Sequence, residues 1–429
     1  MKRPRIPEGA RRFLFENSIF LIAGAAGALV WANVNADGYH RFVGMLMYPP
    51  DGAHGPAPAA GHGYELFALR FHEPFTLKLV VDDILMAFFF AIAGKEVWEA
   101  LLPGGPLSNV RTAALPLLAT LGGMAGPAFL YIGGCFATGT WDDLGQGWAV
   151  PCATDIAFSY LVARFIFGPR HTAIPFLLLL AIADDAGGLI ILAVAYPQHG
   201  LQPEWLALTA AAIGLGFGLR RLRLHSFWWY LVLPGTLSWF SFYQVGIHPA
   251  LGLIPIIPTM PHAHTDLGIF ARRELGRHDT LNAFEHWWKN PVELILGLFG
   301  LVNAGVPFGS VGTGTALVFV GLLIGKPLGI ALFAILGEKA FRLELPRGMS
   351  HKHLVTLGAI AGIGFTVALF VASAAFKEPG AIQDSVKMGA LASFFAAPLA
   401  IIVAKVLGVR RLSAGEEDEP PPDASADED

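Results

Sequence analysis

Two aspartates, Asp184 and Asp185, stand side by side in the middle of IPFLLLLAIADDAGGLIILAVA, which runs from Ile174 to Ala195. They are the only ionisable residues in that run. Burial and a like-charged neighbour both favour the protonated carboxyl. Such a pair therefore holds protons more readily than free aspartate. When deprotonated it offers oxygen ligands to a small hard cation. A second candidate is Lys326 in VGLLIGKPLGIALF, the only base deep in an apolar run. It lies too far from either end of Thr313–Gly337 to snorkel to an interface with ease. It can pair with a carboxylate or neutralise the negative end of a helix. Thr154 and Asp155, in GWAVPCATDIAFSYLVARF, are a third set. Asp155 can cap a helix or balance a positive helix end. The plain alternative for Asp184 and Asp185 is a helix cap or a partner for a structural base. Their place at the centre of an unbroken apolar run argues against the cap.

The elements that position these groups follow from composition. The chain has 429 residues, of which 14% are charged, and its mean hydropathy is +0.55. Soluble domains carry about 25% charged residues. The deficit predicts an all-α polytopic membrane protein. A run such as Ile174–Ala195 is long enough to cross a hydrocarbon core of ~30 Å. A carboxylate at its centre costs roughly 2.5–3.5 kcal/mol on insertion scales, a cost that a scaffold without transport has no reason to bear. Apolar runs fall near 13–33, 76–98, 113–137, 148–168, 173–196, 204–219, 226–242, 244–260, 291–306, 313–337, 354–376 and 384–408. They predict about twelve transmembrane helices in one domain, 1–408. Residues 409–429 read as an acidic, disordered cytoplasmic tail, because Glu416–Glu419 and the acids after them are mixed with Pro, Ala and Ser. The net charge of −4 comes from that tail. No cleavable signal peptide is expected, since Phe13–Trp31 is itself long enough to span. Cys135 and Cys152 fall in or beside apolar segments and say little about redox compartment.

Loop charge sets the orientation. Even-numbered connections carry Arg111; Arg164 and Arg170; Arg220, Arg221 and Arg223; Arg272, Arg273, Arg277 and Lys289; then Lys339, Arg342, Arg347 and Lys352. Most odd-numbered ones are nearly bare of bases. Bases favour the cytoplasmic side, so both termini are expected inside, in the inner membrane of a bacterium. Two connections are long. Asn33–Thr76 faces outward and contains a Pro/Gly/Ala tract with His40, His54, His62 and His72 nearby, spaced too irregularly for a metal site. Met260–Asn290 faces inward and is polar enough for a short surface helix.

Two spans are interrupted. The fourth holds Pro151 and the Ala-Thr-Asp centre; the eleventh, HLVTLGAIAGIGFTVALFVAS, holds Gly358, Gly362 and Gly364. Broken helices at matching places in two halves mark transporter binding sites. Spans three to five begin inside and spans ten to twelve begin outside. The two triplets therefore read as inverted copies.

At ATDIAF (Ala153–Phe158), AIADDAGGLII (Ala181–Ile191), NAGV (Asn303–Val306), LLIGKPLGI (Leu322–Ile330) and GIGFT (Gly362–Thr366) the chain resembles the NhaA-type sodium/proton antiporters. LMAFFFAIAGKEV (Leu85–Val97) matches more loosely. The pieces appear in family order across most of the chain. The resemblance implies inverted-topology repeats with crossed, discontinuous fourth and eleventh helices. It implies Asp185 as the principal cation and proton carboxylate and Asp184 as the partner of Lys326. Thr154 and Asp155 become the pair at the helix crossing. His248, in GIHPALG, stands at the place of a histidine linked to pH response. Glu285 and His286 resemble a cytoplasmic Glu-His pair of the same kind. The departures are Asp82-Asp83, where the family has Asn-Asp, Lys95, where an apolar residue is usual, and the long outer loop. The family uses that outer region for a dimer-forming hairpin, so a homodimer belongs to the partners the resemblance allows.

The expected activity is secondary antiport, cytoplasmic Na⁺ (or Li⁺) for external H⁺, electrogenic, serving sodium and pH homeostasis. No enzyme chemistry, cofactor or nucleic acid is implied; the partners are the two ions and the lipid bilayer. The metal ligands are Asp184 and Asp185 for Na⁺ or Li⁺. A rival is a cation-coupled symporter of the same broken-helix architecture, which has no need of an aspartate pair facing a lysine. An aspartyl intramembrane protease needs its two aspartates on separate helices. Here they are neighbours on one, about 100° apart in direction.

Overall fold

A computed structural model describes residues 18–45, 64–66, 69–71, 75–262 and 279–412. His54, His62 and His72 and the acids of the C-terminal tail lie outside the described residues. The chain divides into two units, Met1–Ile92 with His199–Met260 and Ala283–Phe308, and Ala93–Gln198 with Pro261–Asn282 and Gly309–Asp429. Among the described residues four helices are long and apolar enough to cross a membrane: Ala113–Thr138, Ala173–Ala195, Thr313–Phe341 and Ala381–Val406. Two bent pairs bring the total to six: Trp141–Cys152 with Ile156–Phe167, at 51°, and His351–Ala361 with Phe365–Ala375, at 49°. Phe129, Ile190, Val194, Leu328, Leu332 and Ile402 are exposed on these helices, as lipid-facing side chains are.

In the second unit, Ala113–Thr138 packs on Thr313–Phe341 through small residues. A Cβ at Gly329 would collide with the carbonyl of Gly122, and one at Gly126 with that of Gly325. Two such small-x-x-x-small stripes let the backbones touch, which is how helices associate without a hydrophobic drive between them. The contact brings Lys326 against the first helix. A π-helical turn, Gly321–Gly325, immediately precedes that lysine; such turns concentrate at functional sites. Phe167, Phe176, Leu177, Leu180, Leu354, Leu357 and Ile360 form the apolar core on one side of the breaks.

The first unit is held by Ile19–Val34 against the C-terminal part of Thr280–Asn303, where a Cβ at Gly24 would meet the carbonyl of Gly297. Tyr39 Oη donates to Leu301 O at 3.0 Å and Val302 O at 2.8 Å and accepts from Gly305 N at 3.2 Å. Three expectations need revision. The helix ending at Asn303 starts at Thr280, not at 291, because Leu281 and Phe284 keep an apolar face that is wholly buried. The surface-helix expectation for 260–290 therefore does not hold for 280–290. The run 244–260 is no regular helix. Gly246 ends the preceding helix at φ 93°, and Pro249, Pro255 and Pro258 then leave only the 3₁₀ pieces Pro249–Leu251 and Ile254–Thr259, since each proline removes a donor. The outer region is not all loop. Ala36–Val43 is helical, and Tyr64–Leu66 pairs antiparallel with Leu69–Phe71.

Candidate functional site

The two breaks in the second unit hold each other through their backbone ends. The helix His351–Ala361 stops at Gly362 and leaves its last carbonyls without helical donors. Ser159 Oγ donates to Ile360 O at 3.2 Å, Thr154 Oγ1 to Ala361 O at 3.3 Å, and the Asp155 amide to Ile363 O at 2.7 Å. The positive ends are served by one carboxylate. Asp155 Oδ1 accepts from the Phe158 amide at 3.2 Å, capping Ile156–Phe167. Its Oδ2 accepts from the Thr366 amide at 3.2 Å and from Thr366 Oγ1, at the start of Phe365–Ala375. A single negative charge thus faces two helix N-termini, the placement that helix dipoles favour.

Lys326 serves the opposite end. Its ammonium is fully buried; it donates to the carbonyl of Cys152, the last residue of the first half of the Trp141–Phe167 pair. It also donates to Asp184 Oδ2 at 2.9 Å. Asp184 is 3% exposed, so this ion pair is shielded from water on both sides. The aspartates ride on Ala173–Ala195, which is fixed to the first long helix by Thr120 Oγ1 donating to Leu180 O at 3.2 Å. Asp185 is half-buried. It feels the charges of Asp184, Glu96, Asp155 and Lys326. The arrangement gathers one paired carboxylate, one unpaired by any ion pair among the described residues, a hydroxyl and several carbonyls that end helices. These are hard oxygen donors around a position where a proton and a small cation can compete.

Thr154, Asp155, Asp184, Asp185 and Lys326 are therefore together in one unit. His248, Glu285 and His286 belong to the other. His248 Nδ1 lies 3.6 Å from Asp83 Oδ1 and accepts from the Ala250 amide at 3.4 Å. The Asp83 carbonyl accepts from Trp239 Nε1 at 2.7 Å. Glu285 is half-buried and His286 exposed on Thr280–Asn303. The departures have partners. Lys78 Nζ reaches Asp82 Oδ2 at 2.6 Å and Asn303 Oδ1 at 3.1 Å, while Asn303 Nδ2 donates to Asp82 Oδ1 at 2.7 Å. Lys95 is buried with Glu99 at 2.5 Å, one turn along the same helix. Residue-type reasoning missed Thr366, Ser159 and Glu96. Thr366 and Glu96 sit inside motifs already visible in the sequence; Ser159 carries no local signal.

The chain matches the family model described as Na⁺/H⁺ antiporter 1 over residues 14–404. It is 50% identical over 420 residues to the Na(+)/H(+) antiporter NhaA of Jannaschia sp. (strain CCS1), covering 93% of this chain and 98% of the relative. It is 46% identical over 400 residues to the NhaA of Geotalea uraniireducens (strain Rf4), covering 93% and 97%. It is 43% identical over 403 residues to that of Desulfitobacterium hafniense (strain DSM 10664 / DCB-2), covering 93% and 96%.

Proposed function

The chain belongs to the Na⁺/H⁺ antiporter 1 family, and from that premise we propose that it exchanges cytoplasmic Na⁺ or Li⁺ for external H⁺ at Asp184 and Asp185. The observation that carries this reading is the buried ion pair of Lys326 and Asp184, one residue from Asp185 and bonded to the end of a broken helix. A proton and a cation compete for one set of carboxylates. A site opened alternately to each side then couples the two fluxes without ATP. Asp185 is the principal carboxylate, Asp184 and Lys326 its charge-balancing neighbours, and Thr154 and Asp155 the pair that holds the helix breaks. His248 beside Asp83, with Glu285 and His286, tunes the response to pH.

The architecture that goes with this function has about twelve transmembrane spans in one domain, 1–408, the eighth of them, 244–260, built of 3₁₀ pieces rather than a regular helix, arranged as inverted repeats with the two broken spans crossing. Both termini face the cytoplasm of a bacterial inner membrane, and residues 409–429 form a tail. Support comes from the two bends of similar size, 51° and 49°, and from the breaks bonding each other. A symporter of the same architecture finds no support in relatives that carry antiporter names.

The test uses inside-out vesicles with an acidic lumen, a pH-sensitive dye and added NaCl. Proton efflux on addition of Na⁺ is the expected result. A silent dye with the protein present in the membrane would exclude exchange.

A further inference from the structure

Two histidines outside the ion site share one joint. His171 is in the turn before Ala173–Ala195, the helix that carries Asp184 and Asp185. His353 is in the first turn of His351–Ala361, the first half of a broken span. Their rings lie 4.7 Å apart, and both touch the buried ring of Phe167, at 5.2 and 5.9 Å. Each ring uses Nδ1 to accept a backbone amide at a helix start. His171 Nδ1 accepts from Ala173 N at 3.0 Å. His353 Nδ1 accepts from Ser350 N at 3.0 Å, closing the capping box of its helix. A nitrogen that accepts an N–H bond carries no proton of its own.

From this geometry we infer that His171 and His353 form a pH-sensitive joint that positions the entries of the aspartate helix and the broken helix. The exchange reading above supplies only its functional consequence; the joint itself stands on the bonds. A proton arriving at either Nδ1 removes a capping bond. For His353 the new N–H can turn to Ser350 Oγ, 3.0 Å away, but the amide loses its acceptor. An imidazolium at a helix N-terminus also faces the positive end of the dipole. The Phe167 ring favours one cation, but a second, 4.7 Å from the first, meets direct repulsion, so the two rings titrate as a coupled set.

The other charged groups on the elements and segments packed here are Arg164, Arg170, Asp184, Asp185, Lys326, Glu338, Lys339, Arg342, Glu344, Arg347, Lys352, Lys405 and Arg411. Glu338 is bonded to His351 Nε2 at 2.7 Å, and Asp184 to Lys326 Nζ at 2.9 Å. Unfolded histidines take up protons near pH ~6.5, whereas the capped rings do so only by giving up a bond. The unfolded chain binds more protons, so the joint weakens as pH falls through that range and is intact above it. Loosening it shifts the helix that carries Asp184 and Asp185, and exchange should fall.

The test replaces the titrating acceptors with oxygens. His171→Asn and His353→Gln keep a side-chain acceptor for the same amides and cannot be protonated. In the full-length double variant, the acid limb of the rate–pH profile should move down by about half a pH unit or more, with the alkaline rate within about twofold of the parent. Melting in detergent provides a readout independent of transport. The gap in Tm between variant and parent should grow in the variant's favour from about pH 8 to about pH 5.5. Superimposable pH profiles, or a Tm gap that does not change with pH, overturn the inference. His353→Gln alone, at a half-exposed site where Gln suits the capping box, gives the same reading if the double variant folds poorly. A protein that melts as stated but moves no ions would count against the exchange function and leave the joint standing.

Discussion

Lys326 Nζ donates to Asp184 Oδ2 at 2.9 Å with the lysine fully buried and the aspartate side chain 2% exposed. Removing one partner of a buried pair strands the other charge, which costs about 3–5 kcal/mol. Lys326→Ala should therefore lower the melting point in detergent sharply as well as impair exchange. Adding Asp184→Asn should recover a large part of the lost stability, because the stranded charge is gone. Equal melting points for the single and double variants would show that the pair contributes no coupling.

Asp185 has a different task from its neighbour. Among the described residues it makes no ion pair, and it shares its surroundings with three other carboxylates and one lysine. Asp185→Asn should abolish Na⁺-driven proton movement and leave the melting point within a few degrees of the parent, since no ion-pair partner is stranded. Exchange at the parent rate in that variant would remove Asp185 from the mechanism.

Thr366 tests the break. Its amide and hydroxyl both donate to Asp155 Oδ2. Thr366→Val keeps the shape and removes the hydroxyl, leaving a buried carboxylate short of a donor at a cost of about 1–3 kcal/mol. Thr366→Ser should restore most of it. Thermal unfolding and the apparent Na⁺ affinity, measured on both variants, separate a lost donor from a change in packing.

These residues also mark how far the sequence could be read. Asp184, Asp185 and Lys326 were visible because each is a charge in an apolar run, where the cost of burial singles it out. The breaks were visible because glycine and proline interrupt helices by their own local chemistry. The donors that satisfy Asp155 were not. Thr366 lies 211 residues away, and no local rule pairs a threonine with an aspartate at that separation. The same holds for His171 and His353, which are 182 residues apart in sequence and whose rings only the fold brings to 4.7 Å. The π-helical turn at Gly321–Gly325 leaves no periodic signature, because one extra residue per turn does not alter an all-apolar stretch. The start of the helix at Thr280 was obscured by the opposite effect: the charged face of TLNAFEHWWKN outweighs its apolar face in any average.

The C-terminal segment carries a simpler expectation. The Leu412 amide donates to Phe167 O at 2.9 Å, which ties this segment to the helix Ile156–Phe167. Truncation after Leu412 should leave exchange and melting unchanged. Truncation after Val409 removes that bond and should cost about 1 kcal/mol, seen as a drop in Tm of a few degrees. Loss of exchange in a well-inserted chain ending at Leu412 would assign the acidic tail a regulatory role.

The last expectation is that exchange moves net charge, with more than one proton per sodium ion. The ion site holds the buried pair Asp184 and Lys326 beside the half-buried Asp185, so each ionisation there is felt by the others. If Asp185 alone titrated, one proton would leave for each Na⁺ bound, and no net charge would cross. Lys326, however, is bound to Asp184 and to the Cys152 carbonyl at once. When a cation settles among the carboxylates, it repels the ammonium and competes with it for Asp184. The pair can then open, and a second proton departs from the coupled set. Substrate-free and substrate-bound sites differ by more than one proton, whichever group gave it up. The membrane potential then drives sodium extrusion with roughly 2.3 kcal/mol per 100 mV for each net charge moved. Proteoliposomes with an imposed K⁺/valinomycin potential provide the measurement. The rate should rise with one sign of the potential and fall with the other, and a transient current should appear on a supported membrane when Na⁺ is added. In Lys326→Ala, corrected for protein that remains folded, that dependence should weaken or vanish, because the second proton has lost its source. A rate in the parent that ignores the sign of the potential, with no current, would mean that Asp185 alone carries the exchange.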